Sequence, residues 1–258
     1  MNNTKIKQLA LTCGLLLGSS AFALQAEESG EVNLGFQVKT NHLWHGFIVT
    51  PGVFTAGELT YTTASGDTKF GLWGGASFDG SYKELTYFAS HKFSDNLFVE
   101  IVTHGNHSGI YDSEDGVVDI FNFGDDPAET GNFTDIGIGY TFSGDAPVSV
   151  YYSVIVQGID VFEDEETGER ERAYTNYLEV SKPVWSNAAG ESVNAFIGGA
   201  FSPKGDQNFY YKNAGIVNVG FTYNTSVSIG DFTLPVSSTA MWNPSRNEGA
   251  LQVALNFF

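Results

Sequence analysis

The sequence predicts an all-β protein: an up-and-down antiparallel β-barrel of about twelve strands that crosses a membrane. Three observations point there. The chain opens like an export signal, twelve later segments alternate apolar and polar residues with a period of two, and their connections alternate between short and long.

The opening carries Lys5 and Lys7, then an apolar run from Leu9 to Leu17, then small residues at Ser19, Ser20, Ala21 and Ala23. That order is the order of a secretory signal peptide. Cleavage after Ala23 or Ala26 would assign residues 1–26 to the signal and 27–258 to a single domain, since no Pro/Ser linker or shift in composition divides the remainder. The signal takes with it the one cysteine, Cys13, and two lysines, leaving ten basic against 30 acidic residues and a net charge of −20. Disulfides are therefore excluded from the exported chain. No later segment has the roughly 18 unbroken apolar residues of a membrane helix, so a membrane location requires a closed barrel. A content of 30 glycines, 21 phenylalanines and 12 tyrosines suits strands.

The first segment sets Val32, Leu34, Phe36 and Val38 against Glu31, Asn33, Gln37, Lys39 and Asn41. A weaker one follows from Val53 to Thr63, then Phe70 to Phe78, Leu85 to Ala89, Leu97 to Ile101 and Ile136 to Phe142. The second half repeats the pattern at Val148 to Val156, Leu178 to Val180, Val193 to Ile197, Val217 to Tyr223, Phe232 to Val236 and Leu251 to Phe257. A period of two excludes an amphipathic helix.

Soluble β-sandwiches alternate too, and the connections separate the two. The even gaps are turn-like: Ser65 to Asp67, Ser94 to Asn96, Ser143 to Pro147, Ser186 to Gly190 and Thr225 to Asp231. The odd gaps are longer or more polar: Phe47 to Gly52, Phe78 to Tyr82, His107 to Asn132, Ile159 to Arg172, Pro203 to Asn213 and Asn243 to Gly249. Short periplasmic turns and long extracellular loops around an even strand count put both termini on the periplasmic side of an outer membrane. The aromatic ending Phe257-Phe258 supports this, although Phe258 falls on the face opposite to Leu251, Val253, Leu255 and Phe257.

One face of such a barrel meets lipid, with Tyr61, Tyr82, Tyr140, Tyr223 and Trp242 suited to aromatic girdles. The other carries Glu58, Glu84, Glu100, Asp135 and Glu179, with Gln37, Lys39 and Asn41 among its polar residues. Carboxylates outnumber lysines there, so an open lumen would favour cations, with Glu58, Glu84, Glu100, Glu179, Lys39, Gln37 and Asn41 lining it. The alternative is a barrel filled by its own side chains. Two loops concentrate acid: Asp112, Glu114, Asp115, Asp119, Asp125, Asp126 and Glu129 in one, Asp160, Glu163, Asp164, Glu165, Glu166, Glu169 and Glu171 in the other. They lack EF-hand spacing and read as solvated surface or as contacts to lipopolysaccharide through divalent cations.

The cluster His104, Asn106, His107 and Ser108 offers the parts of a lipid hydrolase, but not in the His-x-Ser-Asn order. The pairs His42/His45 and His104/His107 are three apart, which on a strand points them to opposite faces, so no metal or other cofactor is assigned. The acidic balance and the missing phosphate loop exclude nucleic acid.

The stretch Thr40-Asn41-His42-Leu43-Trp44-His45-Gly46 resembles the opening strand of the TorF-type porins of Gram-negative outer membranes, with Trp44 and Gly46 matching and His42 and His45 replacing a tyrosine and an arginine. Tyr82-Lys83-Glu84-Leu85-Thr86-Tyr87 is similar to their fourth strand, and Asp231 to Pro235 with Asn243-Pro244 to the closing hairpin of related barrels. The resemblance implies a porin-like barrel and supplies no catalytic residues. The combined expectation is a monomeric, non-enzymatic barrel among outer-membrane lipid and lipopolysaccharide, passing small solutes with a preference for cations. Open alternatives are a closed barrel acting through its acidic loops in a structural or adhesive role, and a rim hydrolase.

Overall fold

The computed structural model describes residues 29–108, 119–145, 147–164 and 168–257. The signal segment, Phe258, and the loop acids Asp112, Glu114, Asp115, Glu165 and Glu166 lie outside the described residues.

In chain order the strands are β1 (Glu31–Lys39), β2 (His42–Trp44), β3 (Phe47–Thr50), β4 (Phe54–Thr62), β5 (Thr68–Ser77), β6 (Lys83–Ser94), β7 (Leu97–Asn106) and β8 (Asn132–Phe142). They continue with β9 (Val148–Gly158), β10 (Val161–Glu163), β11 (Arg170–Arg172), β12 (Asn176–Ser186), β13 (Ser192–Phe201), β14 (Gly215–Ile229), β15 (Phe232–Asn243) and β16 (Glu248–Asn256). Twelve of these close an antiparallel barrel, and two pairs, β2–β3 and β10–β11, form separate hairpins on its long connections. The expected all-β barrel of about twelve strands is therefore the observed one. The seam between β1 and β16 is short, pairing Gln37 with Asn256, Val38 with Leu255 and Lys39 with Ala254. Backbone bonds from Thr40 to Val253 and from Phe257 to Phe36, both 2.9 Å, extend it.

Alternation decides which side each residue faces, because one-residue steps on a pleated strand reverse the side chain. Cross-strand pairs on the outer face match apolar with apolar: Leu34 with Leu59, Leu59 with Leu72, Ile101 with Ile136, and Val180 with Ile197. These residues lie open on the outside, Val32 at 63% exposure and Leu251 at 75%, while Phe54 on the inner face is at 0%. Water-soluble monomers rarely expose a contiguous apolar patch beyond a few hundred Å². A belt running around a closed sheet is the outer wall of a barrel set in hydrocarbon, which leaves no backbone group unpaired at depth.

The short turns gather at one end with both described chain ends, and the long connections at the other. Three expectations at the strand ends need correction. The last turn is tighter than Thr225 to Asp231: β14 runs to Ile229 and β15 starts at Phe232, so Val227 pairs with Leu234 and only Gly230 and Asp231 turn. Val217 is not an outer-wall residue. A bulge between Gly198 and Gly199 shifts the β13–β14 register, and Val217 is fully buried against Tyr177, Ala200 and Tyr210. The first strand stops at Lys39, and Phe47–Thr50 is strand rather than loop, because residues 42–50 form a hairpin of their own.

Candidate functional site

That hairpin shapes the lumen. Its turn is His45-Gly46, both with positive φ, 44° and 90°, and Trp44 pairs with Phe47 across it. Two such residues in succession make the tight hairpin turn whose twist matches paired strands, and glycine enters that region freely. The linkers, Thr40-Asn41 on one side and Pro51 to Val53 on the other, are too short to carry the hairpin out over the rim. It folds inward and crosses the barrel.

The contacts trace that crossing. Near its base His42 stacks on Phe54 of the neighbouring β4 at 4.6 Å and on Trp73 of β5 at 5.4 Å. Midway Trp44 meets His104 of β7 at 5.2 Å and Phe133 of β8 at 5.7 Å. At the tip His45 stacks on Tyr177 of β12 at 4.2 Å, on the wall opposite to β1 and β4. His45 Nδ1 also lies 3.1 Å from the Tyr210 hydroxyl, and the Asn243 side-chain amide donates to the Gly46 carbonyl at 3.1 Å. The 203–213 connection supplies the other half of the plug, with Tyr210 stacked on Phe47 at 5.1 Å and on Tyr177 at 5.4 Å.

Gly46 is fixed by space as well as by φ: a Cβ there would stand 1.9 Å from the Val217 carbonyl oxygen. Gly46→Ala is therefore expected to push the tip off the β14 wall and weaken the plug, read as faster protease nicking of residues 40–53 in folded protein.

A buried polar knot anchors the plug from above. Asp160 accepts from the Thr175 backbone at 2.7 Å and its hydroxyl at 2.6 Å, and that hydroxyl accepts the Phe209 backbone N–H at 2.8 Å. Burial pushes the Asp160 carboxyl up, and the two Thr175 bonds oppose the shift. A partly exposed Arg170–Asp126 pair at 3.1 Å ties the two acidic loops together; the Ala128 backbone N–H first and the Arg170 bond second lower the Asp126 carboxyl, and the bond to Asp126 raises Arg170.

Beside the base of the hairpin, Glu84 is the centre of the polar groups. Its carboxylate accepts the Tyr82 hydroxyl at 2.7 Å and the Thr86 hydroxyl at 2.8 Å, with His104 Nδ1 at 3.4 Å and His42 Nε2 at 3.7 Å. Tyr82 thus faces inward and is no girdle residue, whereas Tyr61, Tyr140 and Trp242 are on the exposed outer wall. His42 and His104, on different elements, share one carboxylate, an association that spacing along the chain does not reveal.

Two voids flank the wall made by Trp44 and His104. Toward the long-loop end lies a cavity of about 540 Å³ lined by Phe47, Tyr82, Glu84, Phe133 and Phe209, and deeper lies one of about 270 Å³ lined by Glu100, Asp135, Tyr151 and Glu179. Each of the expected lumen residues is placed as follows. Glu84, Glu100 and Glu179 face these voids, and Glu58 on β4 is exposed to the lumen nearer the short-turn end. Lys39 lies over Trp73 at 5.9 Å, Gln37 pairs with Asn256 on the inner wall, and Asn41 is buried with its amide donating to the Leu251 carbonyl at 2.9 Å. Asp135, 2% exposed, faces the deeper void as well.

At the rim, Ser108 is engaged with backbone: its hydroxyl oxygen accepts the Lys83 N–H at 2.7 Å, and its own N–H donates to Asn106 Oδ1 at 2.9 Å. Among the described residues no three His, Cys, Asp or Glu side chains converge on a point where they could ligate a bare metal ion.

No protein-family model and no curated protein matches this sequence. Among solved structures it is similar to the translocator domain of the autotransporter NalP from Neisseria meningitidis, at 12% identity over 99% of this chain and 98% of that one, with a TM-score of 0.37. It is also similar to the β-domain of the Bordetella autotransporter BrkA, at 12% identity over 89% of this chain and 98% of that one, TM-score 0.35. A third is Wzi from Escherichia coli, described as an outer-membrane, carbohydrate-binding β-barrel involved in group 1 capsule assembly. There the identity is 10% over 87% of this chain, the TM-score is 0.33, and the chain spans 56% of that protein's length.

Proposed function

We propose that this protein is an outer-membrane barrel that conducts small solutes, cations before anions, through a lumen held narrow by its own inserted hairpin. The short-turn end would face the periplasm and the acidic loops the exterior, as the porin-like resemblance of Thr40 to Gly46 also implies. The observation that supports the reading is the set of carboxylates Glu84, Glu100, Asp135 and Glu179 on β6, β7, β8 and β12, lining the voids on either side of the Trp44–His104 wall. In a low-dielectric tunnel their field reaches the axis, attracts cations and repels anions. Twelve strands lie between the barrels that side chains fill and the wider ones that hold an aqueous channel, so the inserted hairpin decides the bore.

The test is ion flux in planar bilayers with a salt gradient. Wild-type protein is expected to give small unitary currents with a reversal potential on the cation side. The quadruple change Glu58→Gln, Glu84→Gln, Glu100→Gln and Glu179→Gln should move that potential toward zero. No current, or a preference untouched by the four changes, would overturn conduction or its charge basis respectively.

The hairpin itself favours a second reading, a closed barrel acting outward through its loops. Liposome swelling separates the two: a closed barrel admits no solute of any size.

A further inference from the structure

We infer that the cavity at the long-loop end is a binding site for an organic cation that carries no N–H donor, a quaternary ammonium group. The assignment names a substrate class for the cation path proposed above and rests on that reading for its role. The cavity holds about 540 Å³, within the roughly 300–1,000 Å³ of small-molecule sites. Its wall combines Glu84 with the rings of Trp44, Phe47, Tyr82, Phe133 and Phe209, and carries no lysine or arginine among the described residues.

The rings are set as corners rather than as one stack. Trp44 and Phe47 of the hairpin are nearly parallel, 6° apart with centroids at 6.1 Å, and Phe209 of the 203–213 connection stands at 87° to each. Phe133 of β8 tilts against Phe209 at 4.7 Å. Phe47 already carries the Arg246 guanidinium over its ring at 4.7 Å, which leaves Trp44, Tyr82, Phe133 and Phe209 to meet a guest. Ring faces attract a cation brought within about 6 Å of a centroid. A neutral apolar guest would use the same surfaces, and Glu84 decides between the two. Its side chain is 9% exposed, and no lysine or arginine among the described residues pairs with it. Lys39, whose field reaches it, lies over Trp73 instead. In a site shielded from water, such a negative charge acts across several ångströms.

The hydrogen bonds select the form of the cation. Both Glu84 oxygens are occupied, Oε1 by the Thr86 hydroxyl at 2.8 Å with His104 Nδ1 at 3.4 Å, and Oε2 by the Tyr82 hydroxyl at 2.7 Å with His42 Nε2 at 3.7 Å. The Ser81 hydroxyl donates to Asp79 at 2.7 Å, Asn106 Oδ1 accepts the Ser108 N–H at 2.9 Å, and Ser108 Oγ accepts the Lys83 N–H at 2.7 Å. The wall therefore offers charge and ring faces while most of its acceptors are engaged. A metal ion, a primary ammonium or a sugar must find partners to replace the water it sheds, and each would have to break existing bonds here. A quaternary ammonium spreads its charge over methyl groups, asks for no hydrogen bond, and suits aromatic walls.

Isothermal titration of the full protein tests the assignment with three probes, in an alkyl maltoside because amine-oxide and phosphocholine detergents resemble the proposed group. Choline supplies the cation, 3,3-dimethylbutan-1-ol is its shape without the charge, and ethanolamine replaces the methyl groups with N–H donors. Choline is expected to fill one saturable site, at least about tenfold more tightly than either of the others. Glu84→Gln should weaken it about tenfold or more, as for removal of a desolvated charge. Phe209→Leu, which keeps apolar bulk and removes the ring, should weaken it about threefold to tenfold. Asp125→Asn on the acidic loop should bind as wild type. Phe209→Leu keeps the test available if Glu84→Gln fails to fold, which heat-modifiable migration in SDS gels reports. Absence of choline binding, the alcohol binding as tightly as choline, ethanolamine binding more tightly, or choline binding unchanged in both lumen variants would overturn the inference. A barrel that binds choline but passes no current removes the channel and leaves the site; a conducting barrel without the site does the reverse.

Discussion

Replacing residues 43–49 with a short Gly-Ser linker is expected to raise unitary conductance severalfold and to weaken cation preference. The hairpin crosses from β1 and β4 to the far wall, where His45 stacks on Tyr177, and its Trp44 and Phe47 rings stack with Tyr210 across the section of the lumen. Removing it joins the cavities on either side of the Trp44–His104 wall into one passage. Preference should fall along with closure, since the carboxylates would then act across a wider, better-hydrated bore. Trp44→Ala, which opens the shared wall alone, should give an intermediate rise. The barrel strands lose none of their ladder partners in these changes, so folding yield in detergent is expected to hold. Currents indistinguishable from wild type in both variants would show that the hairpin does not limit passage.

Ile138→Arg is expected to lower folding stability in lipid by about 2–4 kcal/mol, the range for arginine on the lipid face near the bilayer midplane. Ile138 lies near the middle of β8, paired with Val99 and Tyr152 on the outer wall, and is 43% exposed. Arginine there must take its guanidinium into hydrocarbon or bend the chain toward the interface. Glu58→Arg is the matched control, an exposed residue of the inner wall where water solvates either charge, and should change stability by no more than about 0.5 kcal/mol. Equilibrium urea titrations of folding into thin-chain vesicles compare the two. Equal losses would mean that the apolar wall is not the lipid-facing one.

The barrel was legible in the sequence because one uniform solvent, lipid, touches every outward side chain, so each strand repeats the same two-residue pattern. Val99, Ile101, Ile136, Ile138 and Tyr140 read correctly for that reason. The interior was legible only as a list of polar residues. Which of them meet depends on contacts between strands far apart in sequence, as when His42 and His104 converge on Glu84. The hairpin escaped for a local reason: Leu43, Trp44, Phe47 and Ile48 continue the apolar character of the first strand. The one available signal was His45-Gly46, a pair able to take two successive positive φ values between apolar neighbours. Val217 was misassigned because a bulge adds a residue and breaks the count at that point. Tyr210 could not be placed at all, since a connection read only as polar and long gives no hint that it turns its rings inward.

The hairpin is tied to the wall at both ends, by Thr40-Asn41 and by Pro51 to Val53. A stopper on two tethers cannot diffuse away, so its return to the seated position is a first-order event at a local concentration fixed by the linkers. The fraction of barrels obstructed at any moment should then be the same at every surface density of the protein, and should respond only to changes in what the tip touches.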